Sequence, residues 1–174
     1  MSNVSRLLAI DASVLRSAGD KAGHSAYSTR VLALILSMGH RAAICSEIQQ
    51  EWNKHQSRVS LKWRSAMNAR KKLVKIDISV HQQRIAKSVN DIHPLTEAKR
   101  NALAKDVHML ATAAHADRVI LTGDIALKTL SDDHLSEKIE WLLAWIHDTE
   151  IQRQSLLGRL IELAKAKPFP ALPQ

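Results

Sequence analysis

One cysteine, Cys45, stands in the 174 residues, so no disulfide can form within the chain. That fits a reducing compartment. No apolar run approaches a membrane span: the longest, around Val31–Ile35, falls far short of the roughly 20 residues a transmembrane helix needs. Met1–Leu8 carries only a short apolar stretch before Asp11, not the long apolar region of a secretory signal. The expectation is a cytoplasmic protein that does not contact a membrane. No internal repeat and no low-complexity segment occurs, and the nine histidines show no metal-ligand spacing. Disorder is excluded by composition, with 45% apolar and 24% charged residues. A chain of this size is one domain and buries roughly two-thirds of its unfolded surface, so it needs no structural metal.

What is present in excess is positive charge, +8 from 25 Lys+Arg against 17 Asp+Glu. This balance suits a polyanionic partner, nucleic acid or an acidic membrane surface, although it also serves simple solubility.

Along the chain, short apolar runs alternate with helical patterns. Arg6–Ile10, Arg41–Cys45 and Val119–Thr122 read as buried parallel strands. Ser17–Ser25, with two glycines, reads as a loop. Tyr27–Met38 has helical spacing and stops at Gly39, a helix C-cap residue. Ser46 reads as an N-cap, with Glu47 in the first turn of a helix to about His55. Ser57–Lys72 reads as a polar, basic helix, Leu73–Ile78 as a short strand or extended connection, and His81–Asn90 as a short helix broken by Asp91–Pro94. Thr96 caps a helix expected to run through Asp106 to about Ala114. A short helix to Leu130 and a polar loop, Ser131–Glu137, follow the third strand. Ile139–Ile146 fits a buried strand or the start of a helix. Ile151–Ala166 is amphipathic, and the residues from Lys167 read as a loose tail. Strands alternating with helices imply an α/β fold, a parallel sheet covered on both faces, with reactive groups at the carboxyl ends of the strands.

That rule directs attention to acids. Asp11 follows the first strand, Asp124 follows the third after one glycine, and Glu47 and Glu51 sit in the first turns of the helix after the second. Asp106 precedes the apolar segment Val107–Ala114, which would pack on the sheet and carry Asp106 to the same edge. Such carboxylates cannot crowd together at neutral pH unless some take up protons or a cation lies between them. Hard oxygen ligands suit Mg²⁺ or Mn²⁺, and one or two such ions activate water against a phosphodiester. Singly, each acid has a plainer role. Asp11 can be a loop former, Asp124 a turn or N-cap residue, Glu47 a helix-dipole partner, and Asp106 an exposed helix residue.

Four segments resemble the PIN-domain nucleases, a family that includes many toxins of bacterial toxin–antitoxin pairs. They are Leu8–Leu15, Ile44–Trp52, Lys105–Ala113 and Val119–Asp124, matching in order an acid after the first strand, an acid on the next helix, an acid before an Ala-Thr-Ala helix, and a strand ending in Thr-x-Asp. Ala12 departs from the hydroxyl residue the family often has there. The resemblance implies a three-layer α/β/α fold with a central parallel sheet, Mg²⁺ or Mn²⁺ as cofactor, and an endoribonuclease cutting single-stranded RNA. Carried over, the catalytic and metal-holding acids are Asp11, Glu51, Asp106 and Asp124. Glu47 is a rival to Glu51, which is preferred for its distance from Ser46. Ser13 and Thr122 would support the site by hydrogen bonds to ligands or substrate. The domain is a single PIN-like unit over 1–174, with a basic helical segment near 52–76 and a C-terminal helix over 151–166.

Trp52–Ile76 holds eight Lys/Arg and no acid. Lys54, Arg58 and Lys62 recur every four residues and would line one helix face. With Arg64 they could follow a phosphate backbone, and Trp63 could stack on a base; alternatively the face is merely solvated and Trp63 packs inward. Trp141 and Trp145 read as core or dimer contacts, and His108 as structural. The expected partners are RNA, an antitoxin protein and a second copy of the chain. Two other functions compete with the nuclease: an inactive PIN-like module that binds RNA or protein, and a metal-dependent phosphotransfer enzyme or phosphatase with a small-molecule pocket.

Overall fold

The computed structural model describes residues 4–19, 24–134, 140–143 and 158–163. Its centre is an all-parallel sheet of five strands in the order β3-β2-β1-β4-β5. These are β1 (Leu7–Ile10), β2 (Arg41–Ile44), β3 (Leu73–Lys75), β4 (Val119–Thr122) and β5 (Glu140–Leu143). Helices flank the sheet, giving the three-layer α/β/α architecture. They are α1 (Ala12–Ser17), α2 (His24–Ser37), α3 (Ser46–His55), α4 (Arg58–Ala69), α5 (Ser79–Asp91), α6 (Glu97–Lys105), α7 (Val107–His115) and α8 (Ile125–His134). Among the described residues, no helix is long and apolar enough to cross a membrane.

The three central strands are the three continuous apolar runs, because a parallel strand covered on both faces has no polar side. Leu8, Ala9, Ile10, Ala42, Ala43, Ile120 and Leu121 are wholly inaccessible. Register is fixed by Leu8↔Ala42 on one side of β1 and Ile10↔Leu121 on the other. The carboxyl ends of β1, β2 and β4 therefore lie side by side. Every residue of α7 except His115 is buried, so this helix is a core element packed on β1 and β4. Gly39, at φ +76°, ends α2. The His40 N–H donates to Ile35 O at 3.0 Å and the Gly39 N–H to Leu36 O at 3.2 Å, the paired bonds that require a left-handed residue at this point.

Several boundaries differ from expectation. Cys45, not Ser46, caps α3, its Sγ accepting from the Ile48 N–H at 3.5 Å. The helix expected from Thr96 to Ala114 is two helices broken at Asp106, where φ −106° and ψ 10° leave the helical region. Lys54 does not share a helix with Arg58 and Lys62, because α3 ends at His55 and Ser57 caps α4. The basic helix stops at Ala69 rather than Lys72, and Lys71 is left-handed at φ 54°. Helix α8 continues to His134, through the start of the expected Ser131–Glu137 loop. Residues 140–143 resolve the Ile139–Ile146 alternative in favour of a strand, and Trp145 lies outside the described residues. Of the expected C-terminal helix 151–166, residues 158–163 are helical and the remainder lies outside the described residues.

Candidate metal centre

Asp11 sits directly after β1 and caps α1, its Oδ1 accepting from the Ser13 N–H at 3.3 Å. Its Oδ2 accepts from two hydroxyls, Ser13 Oγ and Thr122 Oγ1, the latter at 2.6 Å. Thr122 ends β4 and is fully buried. The same Thr122 hydroxyl accepts the Asp124 N–H at 3.0 Å. One oxygen thus ties the acid after β1 to the loop bearing the acid after β4. Ser13 makes a parallel tie, its Oγ accepting from the Gly123 N–H at 3.4 Å. Ser13 and Thr122, expected to support the site by hydrogen bonds to ligands or substrate, hold Asp11 and the 123–124 turn.

Asp124 caps α8, with Oδ1 accepting from the Leu127 N–H at 3.0 Å. Asp106 behaves differently. It stands at the start of α7 yet makes no capping bond with its side chain, although an aspartate there ordinarily would. Its carboxyl is pushed up from 3.8 to about 6. Burial is the main cause, then the negative charge of Asp124; Lys105 and His108 oppose it, and Asp11 adds a smaller upward push.

Glu51 is brought to the same place by its neighbour. Trp52, fully buried on α3, donates its indole N–H to Ile10 O at 2.9 Å. The residue after Ile10 is Asp11 and the residue before Trp52 is Glu51, so this bond fixes α3 against the end of β1. A cleft of about 430 Å³ results, lined by Asp11, Ser13, Glu51, Asp106 and Asp124, with Arg16, His55, Lys105 and Ile125 at its walls. Glu47 is absent from that lining. It accepts a hydrogen bond from Ser46 Oγ at 2.6 Å, which lowers its carboxyl, with a further contribution from the Gln82 side chain. The structure thus places Glu51, rather than Glu47, beside the other three acids.

His108 lies beneath Glu51, with Nε2 3.3 Å from Glu51 Oε1, close enough for an ion pair but out of line for a hydrogen bond. Its Nδ1 lies 3.2 Å from Lys105 O. Nδ1 is therefore the donor there, and the ring attracts Glu51 only when Nε2 is protonated as well. The sequence pattern did not single out Trp52, Arg16, His55, Lys105 or Ile125. One signal was available, since His55 follows Glu51 at i+4 and shares its helix face.

As a donor set, four carboxylates fit a hard divalent cation. Among the described residues, however, no three Asp, Glu, His or Cys side chains already converge as a ligand cage. Asp11 accepts from its hydroxyl partners and Asp124 from its helix, and each carboxylate keeps further lone pairs for a shared ion. The chemistry of the donors fits such an ion.

Of the expected RNA contacts, Lys54, Arg58 and Lys62 are exposed. Trp63 is buried at 6% exposure and meets Trp52 edge-on, centroids 6.0 Å apart, so it offers no free face to a base. Arg64 stacks over Trp52 at 5.7 Å and donates to Asn53 Oδ1 at 2.7 Å. No family model matches the chain, and no curated protein matches it.

Proposed function

We propose that the chain is a Mg²⁺- or Mn²⁺-dependent endoribonuclease acting on single-stranded RNA, with Asp11, Glu51, Asp106 and Asp124 as the metal-holding acids. The observation that carries this reading is Asp106, a half-buried carboxylate that caps nothing and faces two other carboxylates. An arrangement that raises a carboxyl to about 6 is costly at neutral pH, and such perturbations concentrate at functional sites. A divalent cation there would supply Lewis acidity and an activated water. Ser13 and Thr122 would hold Asp11 in a fixed orientation. Arg16 and Lys105, at the cleft wall, would bind phosphate oxygens on either side of the scissile bond. The net charge of +8 favours a polyanion at the surface. A toxin role with an antitoxin partner rests on the motif resemblance alone.

A second reading, a PIN-like module that binds RNA or protein without cutting, is favoured by one observation. Asp11 and Asp124 each already serve a helix terminus. End-labelled single-stranded RNA separates the two. The nuclease cuts it with Mn²⁺ or Mg²⁺, is silent in EDTA, and loses activity in both Asp11→Asn and Asp106→Asn. RNA that binds and stays intact with every metal establishes the binding module instead.

A further inference from the structure

A second cavity, of about 330 Å³, opens where β2 and β3 end and α3 and α4 approach each other. It shares no lining residue with the acidic cleft, and no carboxylate contributes to its wall. Two cations do, Arg64 and Lys75. Arg64 is held in place. Its guanidinium lies over the Trp52 ring, and its Nη1 donates to Asn53 and, at 3.4 Å, to Gln56. That uses part of a five-donor fork and leaves Nε and Nη2 without partners among the described residues. Lys75, the last residue of the edge strand β3, is exposed and makes no ion pair among the described residues. Beside the cations lie the amides of Gln49 and Asn68 and the apolar side chains of Leu61 and Leu73. Leu61 is 48% exposed, a large aliphatic left facing solvent.

A fixed guanidinium fork and a lone ammonium, with no acid in the lining, select a tetrahedral anion of the phosphate class. Amides and an aliphatic wall next to it suit a planar polar heterocycle and its sugar. We propose that this cavity is a nucleotide subsite, binding a nucleoside phosphate through Arg64 and Lys75 with its base against Leu61. In taking that nucleotide to be part of a bound RNA, the proposal rests on the nuclease reading. Its site and its anion chemistry are independent of the metal.

The test is binding in EDTA, where no cutting occurs. Fluorescence anisotropy of a labelled ten-nucleotide oligouridylate reads the strand, and calorimetry with 5′-UMP reads the free nucleotide. Lys75→Gln is the primary variant, because Lys75 is exposed on an edge strand and its loss leaves the core intact. It should weaken RNA binding roughly tenfold and lower the salt slope by about one. Lys87→Gln, an exposed cation on α5, controls for general charge and should change binding less than twofold. Arg64→Lys keeps the charge but loses the fork, and should also weaken binding. UMP binding with the same Lys75 dependence shows that the site takes a free nucleotide, whereas dependence with the oligomer alone shows that it takes a strand; either supports the subsite. A Lys75→Gln effect no larger than that of Lys87→Gln overturns it, as does a wild type that binds neither ligand. RNA held through Lys75 but never cut sinks the nuclease reading alone. Cutting by a Lys75→Gln protein that binds RNA like wild type sinks the subsite alone.

Discussion

Asp106→Asn should make the metal-free protein more stable at neutral pH while abolishing its function. The carboxyl is raised from 3.8 to about 6 in the folded state, so the folded protein holds this proton more tightly than the unfolded chain does. Stability is therefore greatest below the ordinary carboxylate value, declines as pH rises through the window up to about 6, and is level above it. Discounted for solvent screening of a half-buried group, the difference corresponds to about 2 kcal/mol of cost when Asp106 is ionised. Asparagine has the same shape and no charge, so it removes the cost. For a chain of this size, that gain raises the midpoint of thermal unfolding by roughly 4–8 °C. Urea titrations followed by tryptophan fluorescence, in EDTA at pH 4, 5, 6 and 7.5, measure the effect. The wild type should lose stability across this series relative to Asp106→Asn, and saturating Mn²⁺ should restore the wild type alone, by mass action. Parallel pH profiles for the two proteins, with no gain at pH 7.5, would refute the electrostatic account of the cleft.

Three further outcomes follow from named contacts. Trp52→Phe keeps the ring but strands the Ile10 carbonyl, costing about 1–3 kcal/mol in urea melts, and it should weaken Mn²⁺ affinity because Glu51 is no longer fixed over Asp11. Thr122→Val removes the hydroxyl bonded to both Asp11 and the Asp124 N–H; a similar loss of stability is expected, with a fall in kcat of about tenfold for a loss near 1.4 kcal/mol at the reacting geometry. His40 is fully buried, its Nδ1 accepting from the Arg6 N–H at 3.1 Å and its Nε2 lying 3.0 Å from Leu160 O. Burial holds the ring below its usual 6.5, with Arg6 and Lys72 adding to the effect against Asp117 and the Leu160 bond. Its contribution to stability is thus whole above pH 6.5 and is lost as pH falls below that, a slope that His40→Gln should flatten in melts between pH 5 and 7.5.

The sheet was legible because strands covered on both faces must be apolar throughout, and β1, β2 and β4 are. Their polar terminators, Asp11 and Thr122-Gly123-Asp124, were legible for the same reason. The break at Asp106 was not, since Glu97–His115 keeps helical periodicity and contains no proline or glycine. The change is tertiary, from α6 with only Leu103 buried to α7 buried on nearly every side. Cys45 escaped notice as a cap because sulfur is a weak acceptor that sequence rules rank below Ser46. The four-residue spacing of Lys54, Arg58 and Lys62 misled because it runs across Gln56–Ser57, where the chain leaves one helix and caps the next. Charge context favoured Trp63 as a base-stacking residue over the alternative that it packs inward, and its helix turns it inward onto Trp52.

The central claim is that these four acids share a divalent cation, and calorimetric titration of Mn²⁺ into the metal-free protein at pH 7.5 tests it most directly. The account expects saturable binding that is lost in Asp106→Asn and weakened in Asp11→Asn, and that is weaker at pH 5.5, where the cation must displace a proton from Asp106. No Mn²⁺ binding by the wild type, or equal binding by both variants, contradicts it.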